Sequence, residues 1–61
     1  MTDDMNLRER RRIEMRRLIL DSAYRLFRLQ GYDATSVDEI LAHARISKGS
    51  LYHHFPSKES I

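Results

Sequence analysis

Sixty-one residues hold one small domain at most, a length at which a single core seldom gives much stability unless staples or a partner assist it. There is no cysteine, which excludes disulfides and thiolate metal sites and points to a reducing compartment. No segment resembles a secretory signal or the ~18-residue apolar run of a membrane span, so a cytoplasmic location without membrane attachment is expected.

The net charge is only +2, but its distribution is uneven. Residues 8–17, RERRRIEMRR, hold six of the eleven basic residues against two glutamates. Two readings remain open for this run: a solvated helix face, with Glu9 pairing Arg12 and Glu14 pairing Arg17, or an arm that touches a polyanion. A membrane-surface role fits poorly, because Arg12 and Arg16 fall on the same side as the apolar residues and leave no separate lipid-facing side. Residues 1–17 are therefore treated as a basic arm that runs into the first helix.

From Leu18, the residues Ile19, Ala23, Leu26 and Phe27 recur at i, i+4, i+7 and i+8, with Leu20 beside them, which is one face of a helix. Gly31 stands where a left-handed C-cap is expected. Traced backwards, the same stripe reaches Arg16 and Arg12, so the helix should outrun its own core. Tyr32 to Ser36 reads as a loop, with Tyr32 packing beneath it. Ser36 followed by Glu39 makes a capping box, and Val37, Ile40, Leu41 and Ala44 carry a short second helix that ends near Ala44.

Arg45-Ile46 is a tight connection, and Ser47 is an N-cap for a third helix that reaches about His54. So short a turn makes two helices pack steeply, as in a helix-turn-helix. Its first residue commonly needs positive φ, which places Arg45 where glycine would be free of strain. Pro56 closes the third helix, and residues 57–61 read as the start of a fourth. Because a five-residue helix does not persist alone in water, the chain is expected to be the N-terminal part of a longer protein. The fold class that follows is all-α: a three-helix, homeodomain-like helix-turn-helix over residues 18–56, plus the first residues of a linking helix.

The third helix carries the functional signal. At about 100° per residue, Leu51 and Phe55 lie on one edge, with Gly49 and His53 almost opposite, flanked by Tyr52 and Ser50. Gly49 costs roughly 1 kcal/mol in a helix interior relative to alanine, but it lets the backbone approach a surface closely. Ser47, Lys48 and the free amides at the helix start suit an anion, while Tyr52, His53 and His54 suit phosphate oxygens and base edges. DNA matches this set better than a small ligand does. Tyr52 could instead cap the core. His53 and His54 point about 100° apart and His43 is on another helix, so zinc-ligand spacing is missing and no metal or other cofactor is expected. No catalytic motif is found either. A small helical protein-interaction module without DNA specificity is the competing class.

Residues 18–61 resemble the DNA-binding domain of the TetR (tetracycline repressor) family. The resemblance rests on Leu26-Phe27, Gly31-Tyr32, Thr35-Ser36 and Ile40, and above all on Ser47-Lys48-Gly49, Leu51-Tyr52-His53-His54-Phe55 and Ser57-Lys58-Glu59. Two positions depart from it: Arg45 replaces the usual turn glycine, and Leu41 stands where alanine is common. The resemblance implies a transcriptional regulator, a repressor, whose third helix enters the major groove of an operator duplex. Lys48, Gly49 and Ser50 would then meet phosphates or bases, and Tyr52 and His53 would lie along the groove. His54 and Lys58 would contact phosphates near the fourth helix, and Thr35 or Ser36 near the second. It further implies a homodimer built by a C-terminal domain absent from this sequence, which binds a small-molecule inducer.

Overall fold

A computed structural model describes residues 6–61; the first five residues of the expected arm lie outside the described residues. The order is α1 (Leu7–Gln30), α2 (Val37–Ala44), α3 (Lys48–His54) and one 3-10 turn, η1 (Lys58–Ser60). The described residues contain no strand.

Asn6 starts α1 by accepting a hydrogen bond from the Glu9 amide at 2.8 Å. The helix is 24 residues long, about 36 Å at the usual rise. Its apolar stripe covers only the second half. Ile19 and Ala23 are fully buried, whereas Leu20, Leu26 and Phe27 pack at the margin with Met15. The expected overhang is therefore present, and it accounts for much of the 45 Å long dimension of the molecule. Exposed Ile13 and Tyr24 with half-buried Leu20 leave an apolar strip on the outside of α1. The inward stripe gave no sign of it.

Gly31 ends α1 with its amide donating to the Phe27 carbonyl at 2.8 Å. Its φ of 93° is positive as expected, but its ψ of 154° departs from the left-handed helical value. That combination belongs almost entirely to glycine.

Helix α2 opens on the complete capping box. The Ser36 hydroxyl accepts from the Glu39 amide at 3.1 Å, and the Glu39 carboxylate accepts from the Ser36 amide at 2.9 Å. Gln30 extends this cap back to α1 by donating to Glu39 at 3.1 Å and to the Thr35 hydroxyl at 3.3 Å. The end of the first helix is thus tied to the start of the second.

At the other end of α2, the Arg45 and Ile46 amides both donate to the Leu41 carbonyl. This closure requires Arg45 to be left-handed, at φ 59° and ψ 48°. Ser47 then caps α3 by accepting from the Ser50 amide at 3.1 Å. Ile19, Ala23, Ile40, Leu51 and Phe55 form the core where the three helices meet. The segment after Pro56 is one 3-10 turn, closed by Ile61 donating to the Lys58 carbonyl, and Ile61 packs on the core margin.

A left-handed residue with a Cβ is strained by roughly 1–2 kcal/mol, and glycine relieves that strain while adding freedom to the unfolded chain. Arg45→Gly should therefore raise stability by a few tenths to ~1 kcal/mol, read as a higher urea midpoint with an unchanged slope. A lower midpoint would show that the arginine side chain stabilises the turn by more than its backbone strains it.

Candidate nucleic-acid interface

Helix α3 is held by Leu51 and Phe55, both buried, and its opposite side is open. Lys48, Gly49, Tyr52 and His53 are exposed, and Ser50 and His54 are half-buried. Tyr52 lies outside the core cluster, so it does not cap the core. A Cβ placed on Gly49 would meet no heavy atom within 4 Å. The fold itself thus has no steric need for glycine at this position.

The candidate residues fall into two groups. Ser47, Lys48, Gly49, Ser50, Tyr52 and His53 line the outer side and start of α3. Ser47 is exposed, but its hydroxyl already accepts from Ser50. Lys58 belongs with the second group, near the start of α2. Its ammonium sits 4.3 Å from the centroid of the Tyr32 ring, and that ring in turn packs on Phe27 at 4.9 Å. Tyr32 is thereby structural, as expected. The Glu39 carboxyl is held below its ordinary range, first by the Ser36 amide and then by Gln30, with a smaller contribution from Lys58.

Thr35 requires a correction. It was expected as an alternative to Ser36 for contacting phosphate, but it is 1% exposed. Its hydroxyl donates to the Gly31 carbonyl at 2.8 Å and accepts from Gln30. It locks the α1–α2 loop and has no surface to offer a phosphate. Ser36 is exposed, although both its amide and its hydroxyl are engaged by Glu39.

His54 turns away from the outer side of α3 towards the overhang of α1. There the Arg16 guanidinium donates to the His54 carbonyl at 3.3 Å and lies 4.6 Å from the centroid of the Phe55 ring. A cation at a helix C-terminus and over an aromatic face is favourable on both counts. This role of Arg16 was only half legible: the stripe traced back through it, but nothing in the local sequence identified its partner 38 residues away. Gln30 was missed altogether, since an exposed glutamine at a helix end carries no periodic signal.

The described residues contain no cluster of three or more histidines or acids placed to hold a metal ion, and no helix long and apolar enough to cross a membrane.

A short helix anchored by two apolar residues, introduced by a tight left-handed turn and presenting a polar outer side, defines a helix-turn-helix module. The family described as bacterial regulatory proteins, tetR family, matches residues 19–61, and the chain belongs to it. The chain is 48% identical over 48 residues to the uncharacterized HTH-type transcriptional regulator YuxN of Bacillus subtilis (strain 168), covering 79% of this chain and 16% of that protein. It is 49% identical over 47 residues to IcaR of Staphylococcus aureus (strain Newman), the biofilm operon icaADBC HTH-type negative transcriptional regulator, covering 77% of this chain and 25% of that protein. The chain therefore spans a quarter or less of these two relatives. No solved structure matches it.

Partial burial, reinforced by His53, Arg16 and Arg12, keeps the His54 pKa below its ordinary 6.5. On acidification the unfolded chain takes up this proton first, so the folded state loses stability as pH falls from 6.5 towards the lower folded value. Urea unfolding at about pH 7.5 and about pH 5.5 should show the lower midpoint at the lower pH, and His54→Gln should shrink the difference. An undiminished difference in the variant would assign the effect to other groups.

Proposed function

We propose that this chain is the DNA-binding domain of a TetR-type repressor and places α3 in the major groove of an operator. The observation that carries this reading is Gly49. An exposed glycine inside a seven-residue helix weakens that helix, and no neighbour within the fold requires it. Close approach of the helix backbone to an external surface accounts for the choice.

On this reading Lys48, Gly49 and Ser50 meet phosphates or bases at the start of the helix, and Tyr52 and His53 lie along the groove. Ser47 orders the helix start through its cap. Ser36 and Lys58 face phosphate near α2, and His54 does so at the far end of α3. Repression is supported by the word "negative" in the name of the Staphylococcus relative. The family further supports a cytoplasmic, non-catalytic protein that dimerises through a C-terminal domain and releases DNA when that domain binds a small-molecule inducer.

Gly49→Ala separates binding from stability. It should stabilise the domain by about 0.4–1 kcal/mol while weakening its binding to duplex DNA. Fluorescence anisotropy with a mixed-sequence duplex, alongside urea unfolding, measures both. Equal affinity of variant and wild type would remove α3 from the groove. An affinity unchanged between low and high salt would favour the protein-interaction module, because each phosphate contact adds about 0.9 to the log–log salt slope.

Lys58→Ala and His53→Ala should differ in kind. The first should flatten the salt slope by about one unit and weaken all sequences alike, whereas the second should relax preference at one or two base pairs by ~1–3 kcal/mol. Selection from a random duplex pool with wild type and each variant reads the preference. If His53→Ala weakens every sequence equally, His53 contacts phosphate and not a base.

A further inference from the structure

Between the overhang of α1 and the C-terminal end of α3 lies an open cleft of about 560 Å³. Arg8, Glu9, Arg11 and Arg12 line its α1 side, and His53 and His54 line its α3 side. A second hollow continues it past Arg12 and Arg16 beneath the same two histidines. Four arginines against one lining carboxylate repel one another, and an anion entering the cleft relieves that repulsion. Arg16 is already engaged with the His54 carbonyl and Phe55, so it shapes the cleft, while Arg8, Arg11 and Arg12 form its wall.

His53 links this cleft to the outer side of α3. It stands opposite Leu51 and Phe55 on the helix, and it also lines the cleft. A nucleic-acid strand lying along α3 therefore passes the cleft mouth.

We propose that this cleft is a second contact with the nucleic acid and takes a backbone phosphate of the duplex that α3 reads, with Arg8, Arg11 and Arg12 as its cationic wall and His54 as its protonatable floor. The inference rests on the DNA reading above and adds to it a site and a proton. The titratable and charged groups facing His54 are His53 on its own helix and Arg12 and Arg16 on α1, with Arg8, Arg11 and the single carboxylate of Glu9 further along the cleft. In the free protein partial burial, and after it the neighbouring charges of His53, Arg16 and Arg12, disfavour the imidazolium. A phosphodiester beside the ring reverses that balance, and His54 takes up a proton from solvent as the DNA binds. Affinity then rises as pH falls, by at most about tenfold per pH unit for one proton. Acidification thus strengthens binding while it weakens the fold.

The test measures anisotropy of a labelled mixed-sequence duplex at fixed ionic strength between about pH 7.5 and about pH 5.5, across the range where histidine titrates. Wild type should bind more tightly at the lower pH, and His54→Gln should flatten the dependence. Arg12→Gln should weaken binding several-fold more than Arg28→Gln, a charge-matched change in the last turn of α1. Equal losses would reduce the effect to bulk charge and overturn the cleft. Because His54→Gln could disturb the α1–α3 packing, the His54 pKa is also followed by NMR in wild type, where the duplex should raise it by roughly one unit. No rise on binding overturns the proposal. An equal rise with millimolar inorganic phosphate alone makes the cleft a free-anion site and overturns its assignment to the DNA backbone. Wild type that fails to bind the duplex even at low salt overturns the DNA reading itself, whereas binding without pH dependence overturns the cleft alone.

Discussion

The architecture depends on the burial of two side chains, Leu51 and Phe55, against Ile19, Ala23 and Ile40. A helix as short as α3 has no stability of its own, since the cost of nucleating it is not recovered within two turns. Its order comes from these two anchors, from the Ser47 cap at its start and from Arg16 at its end. One edge of the helix and its two ends thereby hold it in place. The remaining surface is released for polar residues and for a glycine that would otherwise be a poor choice.

The long first helix divides into halves with different physics. Its C-terminal half is a conventional amphipathic element that carries the core. The N-terminal half projects past that core and carries the arginines, which explains how a chain with a net charge of only +2 can still present a strongly basic surface on one side. Arg16 lies at the boundary and serves both halves, packing on Phe55 while its charge contributes to the cleft. The opposite end of α1 is fastened by hydrogen bonds. There Gln30, Thr35, Ser36 and Glu39 form a closed hydrogen-bond network that fixes the entry of α2.

Strain and charge are concentrated around α3. Arg45 accepts a left-handed backbone to bring α3 against the core within three residues of α2, and His54 at the far end sits beside the charges of Arg16 and Arg12. Both are costs to the folded state on its own. Each lies next to the surface proposed for DNA, where a polyanion would offset the repulsion at His54.

Local signals were enough for the three helices, the caps at Ser36 and Ser47 and the positive φ of Arg45, because periodicity, the Ser36–Glu39 spacing and turn length all act within a few residues. The outward set of Gly49, Tyr52 and His53 was equally legible, since two buried anchors determine the azimuth of every other residue on a short helix. The inward turn of Thr35 was not, because a threonine before a helix reads as a cap or a surface contact until its neighbours bury it. Nor was the pairing of Arg16 with the end of α3, or of Lys58 with Tyr32, which joins residues far apart in the chain. Sequence alone determined where the three helices lie and which side of each faces the core. Tertiary structure decided which polar residues are used up inside the fold and which cations gather into one cleft, because those outcomes depend on how three helices meet, and no spacing within one helix encodes that.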